Sequence, residues 1–113
     1  MSAEEFTVIV DDDDPIRTVV RVEGDLDLGT APKLSDVIEV PAAAGKRVVL
    51  DLTACGFIDS SGLRALLSAR STADTAGGSL ALVVADPNIL RVFEVASLDQ
   101  VLEIHPTLAA ALG

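Results

Sequence analysis

Asp59-Ser60-Ser61-Gly62-Leu63 sets a carboxylate and two hydroxyls side by side, where the pattern changes from strand to helix. Before it, Val48-Val49-Leu50-Asp51-Leu52 is a short apolar run of the kind buried in a parallel sheet. After it, Leu66, Leu67 and Ala73 recur on one face, which predicts a helix from about Leu63. A serine at such a junction lies beside open backbone N–H groups and the positive end of a helix dipole, both of which stabilise an attached phosphate. The chemistry on offer is therefore a reversible modification. The plainer use of the same residues is helix capping by Asp59, Ser60 or Ser61. Helix-terminus physics alone favours neither serine.

The elements that must hold this segment can be read outward from it. Phe6 to Val10 alternates as a strand, and Asp11-Asp12-Asp13-Asp14-Pro15 is expected to be a solvated turn, four like charges before a proline. Val20 and Val22 alternate with Arg21 and Glu23, so a second strand is expected antiparallel to the first. Thr30 is placed as the cap of a helix whose stripe is Leu34, Val37 and Ile38, with Pro32 in its first turn. Pro41 either kinks that helix or ends it. A third strand spans about Arg47 to Leu52, and Gly77-Gly78 ends the helix after the serines. Ser79 to Val84 is a fourth strand. Asp86-Pro87 opens a third helix carrying Ile89, Val92, Phe93 and Ala96 inward. Val101 to Ile104 is the last strand, and Thr107 caps a short terminal helix. Helices alternating with strands predict a parallel sheet with right-handed crossovers.

Read in full, Val48 to Leu63 resembles the signature of the STAS family, the bacterial anti-sigma factor antagonists. Gly24-Asp25-Leu26-Asp27 is similar to that family's turn after its second strand, and Asn88 to Glu94 is similar to its helix after the fourth. The resemblance covers nearly the whole chain and implies an α/β, STAS-like single domain over residues 1–113. Its sheet is mostly parallel, of about five strands opened by an antiparallel hairpin, with about four helices. It further implies phosphorylation at Ser60, with Ser61 as the alternate, by a partner anti-sigma factor that is a serine kinase, and resetting by a phosphoserine phosphatase. Asp27, Asp59, Ser60, Ser61, Gly62, Leu63 and Arg64 are the partner-binding residues it implies. Gly62 is expected to let backbones approach there, with an added Cβ costing the helix little. Asp25 is left as a surface charge. The chain departs from the pattern at Pro41, and at Ser97 where a Gly is often found.

Composition bounds the alternatives. At 113 residues the chain is one domain burying over ~60% of its unfolded surface. A net charge of -10 with eight Lys and Arg argues against nucleic acid and against anionic membranes. No apolar run reaches the ~20 residues of a membrane span, and Met1 to Glu5 lacks a basic leader start, so a cytoplasmic protein is expected. Cys55 is read as a small buried hydrophobe. His105 has no second ligand at metal spacing, and the aspartate run is read as solvated, so neither a metal nor another cofactor is expected. A response-regulator receiver is opposed by the lack of a late lysine. A hydrolase is opposed by Ile58 where the nucleophile elbow needs Gly. A stressosome-type scaffold or a ligand-binding STAS module keeps the fold but changes the partner; no catalysis is expected.

Overall fold

The computed structural model describes residues 6–113, so the reading of Met1 to Glu5 lies outside the described residues, as does the side chain of Asp13. Five strands form one sheet in the order β1 (Thr7–Asp14), β2 (Arg17–Leu26), β3 (Arg47–Ile58), β4 (Ser79–Val83), β5 (Glu103–His105). β1 runs antiparallel to β2, and every other neighbouring pair is parallel. Helices α1 (Ala31–Ala43), α2 (Ser60–Thr75) and α3 (Pro87–Val95) follow β2, β3 and β4, and α4 (Leu108–Leu112) closes the chain.

Alternation along the strands sends side chains to two faces. Val48, Leu50 and Leu52 join Leu34, Ile38, Leu66, Ala69 and Phe93 in the main core under α1, α2 and α3. Val49, Ala81 and Val83 meet Ala111 of α4 in a smaller cluster. With three Phe as its only aromatics, the core is built from aliphatic residues.

Several boundaries differ from expectation. The aspartate run is not a loop: β1 continues through Asp14, with a register shift between Asp11 and Asp14, and the turn falls at Pro15-Ile16. Its carboxylates are usable in a strand because cations meet them, Lys46 Nζ lying 2.7 Å from Asp12 and Arg17 3.5 Å from Asp14. α1 passes through Pro41 and ends near Gly45, which takes a left-handed φ of 77°. Thr30 makes no cap hydrogen bond with its side chain; its hydroxyl turns back to the Asp25 carbonyl at 2.8 Å. The last strand starts later than expected, because Leu98–Gln100 is a 3-10 helix. Ala96 is exposed at the end of α3 rather than buried. Ser97 takes φ 59°, the left-handed conformation that glycine adopts most readily.

The largest difference concerns β3, which reaches Ile58 rather than Leu52. Beyond Asp51 it leaves β4 and continues beside β2 alone, through register shifts at Arg21/Glu23 and Gly24/Asp25. Such bulges bend and re-aim a strand. Here the two-stranded extension carries the end of β3, and the serines after it, past the rest of the sheet.

Candidate functional site

Leu26 pairs with Ile58 at the tip of that extension, and the Asp59 N–H donates to the Leu26 carbonyl at 3.1 Å. Asp27 and Asp59 therefore follow side by side from adjacent strand ends. Asp59 is extended and caps α2, its Oδ1 accepting from the N–H groups of Ser61 at 2.9 Å and Gly62 at 3.2 Å. The helix begins at Ser60, three residues before the expected Leu63, since this cap closes the turn immediately. Asp27 plays the matching part before α1, where its Oδ1 accepts from the N–H groups of Gly29 at 3.0 Å and Thr30 at 3.2 Å. Asp86 repeats the device at α3, accepting from the Asn88 N–H at 2.8 Å. Three strand-to-helix turns at one end of the sheet are thus each set by an aspartate.

Gly62 is buried, and an added Cβ would lie 2.8 Å from the Leu26 side chain, 2.9 Å from Ile58 and 3.0 Å from the Leu26 carbonyl. The expectation that a Cβ costs little there is corrected. Gly62 presses the helix start onto the strand ends. The expectation of open N–H groups beside the serines is met only in part, because Asp59 occupies those of Ser61 and Gly62 and leaves that of Ser60.

The two serines face different surroundings. Ser60 is exposed, and among the described residues its hydroxyl makes no hydrogen bond. By helical spacing it shares a side of α2 with Leu63, which lines an apolar groove against α3. Ser61 is half-buried and lines a second groove with Arg64, Leu28 and Pro32, between α2 and α1. That side is fixed further along, where Ser68 and Thr72 donate to Glu39 at 3.2 and 2.7 Å. Arg64 is exposed and unpaired among the described residues. Leu28 and Phe57, 75% and 50% exposed, belong to the same end of the molecule and were not singled out from sequence. An exposed apolar residue inside a turn, or next to a motif, was the available signal.

The remaining candidates lie elsewhere. Asp51 is buried within β3 rather than at its end, and its Oδ1 accepts both the N–H and the hydroxyl of Thr53, at 2.9 and 2.5 Å. It offers no receiver-like acceptor. His105 stands on the edge strand with Nε2 2.7 Å from Glu103, an acidic partner the sequence did not suggest. β4 separates it from the strand that carries the serines. Cys55 is buried, its thiol pushed up in pKa by burial and 3.2 Å from the Phe57 carbonyl. No group of three or more metal-binding side chains occurs among the described residues, and none of their helices is long and apolar enough to cross a membrane.

The chain matches the model of the STAS domain over residues 7–111. The chain belongs to the STAS family. It is 30% identical over 86 residues to an anti-sigma-B factor antagonist of Listeria monocytogenes, covering 75% of each chain. It is 26% identical to a STAS-domain-containing protein of Pseudomonas aeruginosa, over 75% of this chain and 84% of that one. Among solved structures, an anti-sigma factor antagonist from Mycobacterium paratuberculosis superposes with a TM-score of 0.86 at 30% identity, over 98% of this chain and 94% of the other. The phosphorylated form of the Bacillus cell fate determinant SpoIIAA shares the STAS fold at a TM-score of 0.71 and 19% identity, over 94% and 96%.

Proposed function

We propose that this STAS domain is an anti-sigma factor antagonist switched by phosphorylation of Ser60. Unphosphorylated, it captures an anti-sigma factor with serine-kinase activity and so frees a sigma factor. The phosphate added by that kinase ends the complex, and a phosphoserine phosphatase resets the cycle. The antagonist role is supported by the 30%-identical relative and structure named above. One observation carries the choice of Ser60, namely that it is exposed at the first residue of α2 while Ser61 is half-buried.

The geometry also says how the switch would act. A phosphoserine brings about -1.5 to -2 charges at neutral pH. Asp59 takes the N–H groups of Ser61 and Gly62, and its own charge opposes the newcomer. What remains is the Ser60 N–H and the helix dipole, each on the order of 1 kcal/mol, small beside a domain stability of roughly 5–15 kcal/mol. The fold therefore persists while the surface changes. In an interface, an unpaired phosphate costs several kcal/mol, and each 1.4 kcal/mol is tenfold in affinity.

The test uses purified serine-kinase anti-sigma factors from the source cell. A label that survives acid and hydroxylamine and maps to Ser60 by mass spectrometry is expected, with binding weakened about a hundredfold or more in calorimetric titration and the melting temperature moved by only a few degrees. A hydroxylamine-labile label, a label on Ser61, or loss of cooperative unfolding on phosphorylation would each refute this mechanism.

A further inference from the structure

α3 carries two stripes on nine residues. Ile89 and Phe93 enter the core, while Asn88, Arg91, Val92 and Val95 recur at i, i+3, i+4 and i+7 along another side. Val92 of that second stripe is half-buried against the main core, while Asn88, Arg91 and Val95 are exposed. With Leu63 of α2 and Ala96 the stripe forms an open groove of about 430 Å³, and Val95 stands 76% exposed at its edge. A single exposed valine is ordinary. A contiguous strip of Leu63, Val92, Val95 and Ala96, edged by one arginine and one asparagine, has the composition of a recognition groove.

We infer that the groove between α2 and α3 seats an apolar, acid-bearing helical segment of the anti-sigma factor, with its carboxylate on Arg91. The identity of the partner rests on the function proposed above; the place and the chemistry rest on the groove itself. Arg17, Lys46, Arg47 and Arg70 are each engaged by a carboxylate. Arg21, Lys33, Arg64 and Arg91 have no such pair among the described residues, and of these four Arg91 alone lines this groove, exposed at its rim. On a chain of net charge -10, a carboxylate is attracted at this rim and repelled over most of the remaining surface, which fixes the orientation of an acidic segment. The 430 Å³ is within the range of small-molecule sites. The groove lies open along a helix, however, and its i, i+3, i+4, i+7 lining is the spacing at which helices seat against one another. Ser60 and Leu63 share a side of α2 one turn apart, so a phosphate on Ser60 stands at the groove's mouth and repels the same carboxylate that Arg91 attracts.

Val95→Glu and Arg91→Glu test this, with Arg91→Lys as the conservative variant, against the purified anti-sigma factor that binds and phosphorylates the wild-type chain. Each Glu variant is expected to weaken binding tenfold or more by calorimetric titration and to raise the KM for Ser60 phosphorylation in proportion, with kcat little changed. Arg91→Lys should retain most of the affinity, and thermal unfolding of all three should stay within a few degrees of wild type. If wild type binds and both Glu variants bind equally well, the groove inference is overturned and the Ser60 switch stands. If none of the cell's serine-kinase anti-sigma factors binds wild type, both are overturned. A wild-type dimer in sedimentation velocity that Val95→Glu turns into a monomer would make a second copy the occupant, and would also overturn the inference.

Discussion

The two ends of the sheet are held by different means. At the amino ends of the parallel strands, side chains far apart in sequence clasp one another. Arg47 reaches Glu103 at 2.7 Å, Ser79 at 3.1 Å and the Ala111 carbonyl of α4 at 2.7 Å, while Lys46 reaches Asp12 at 2.7 Å. At the carboxyl ends, the carboxylates of Asp27, Asp59 and Asp86 bond only to residues two or three positions on. The first end is closed by long-range polar contacts. The second is built from self-contained turns, which leaves its serines, arginines and apolar side chains free for something outside the chain. In open α/β sheets, ligands meet the carboxyl ends of strands, and here the polar contacts show a physical basis for the same division.

The sharpest way to break the comparison is at Gly62, a point where the open end depends on close packing. An added Cβ meets Leu26 and Ile58 at 2.8 and 2.9 Å, and the Leu26 carbonyl at 3.0 Å, where backbone cannot yield easily. Overpacking of this kind costs about 1–3 kcal/mol. Gly62→Ala is expected to lower the unfolding free energy by that amount in urea denaturation, with the midpoint shifted down and the slope unchanged. Wild-type stability would mean that the strand ends yield readily, and the open end would not be a rigid platform.

How much of this could be read in the chain follows from the range of the interactions. Local patterns marked the opening hairpin, the alternation of strands and helices, the buried run Val48 to Leu52 and the caps at Asp86 and Thr107, because each depends on neighbours in sequence. The extension of β3 to Ile58 was hidden, since Thr53 and Ala54 break the apolar run and pairing with β2 resumes only through bulges. The strand character of the aspartate run was hidden likewise, because the cations that meet it come from Arg17 and from Lys46, beyond α1. Gly62 looked like a surface residue inside a motif, and only its three-dimensional contacts show it to be a packing residue. The groove between α2 and α3 was half visible. The stripe on α3 has a sequence period, but Leu63 opposite it does not.

A smaller effect separates the closed end by pH. Glu103 is held down to about 2, first by its hydrogen bond from Arg47 and further by the one it shares with His105. A carboxylate whose folded value lies below its ordinary 4.5 adds stability above that value, and the contribution disappears as pH falls from about 4.5 to about 2. Its side chain is 41% exposed, so screening limits the contribution to about 1 kcal/mol or less. Glu103→Gln should therefore lie slightly below wild type at pH 6, and the two should converge towards pH 2 in thermal unfolding. A gap that persists at pH 2 would mean that Glu103 acts through packing of α4 and not through charge.

The smallest effect is expected at the residue on which the proposed function turns. Ser60 is exposed, its hydroxyl bonds to nothing among the described residues, and the cap it follows belongs to Asp59. Removing the hydroxyl leaves every hydrogen bond of the turn in place and exchanges serine for the best helix former at a first-turn position. Replacing it by aspartate puts a negative charge near the dipole's positive end, worth about 0.3–1 kcal/mol, against repulsion from Asp59. Both Ser60→Ala and Ser60→Asp should therefore stay within about 0.5 kcal/mol of wild type, the range of ordinary surface substitutions. Asp59→Ala one position earlier, by contrast, should lose about 1 kcal/mol with its cap. Chemical denaturation of the three variants side by side checks this. Parity of Asp59→Ala with wild type, or a Ser60→Ala loss as large as that of the cap, would show that the serine belongs to the scaffold, and the division between a closed and an open end would fail where it matters most.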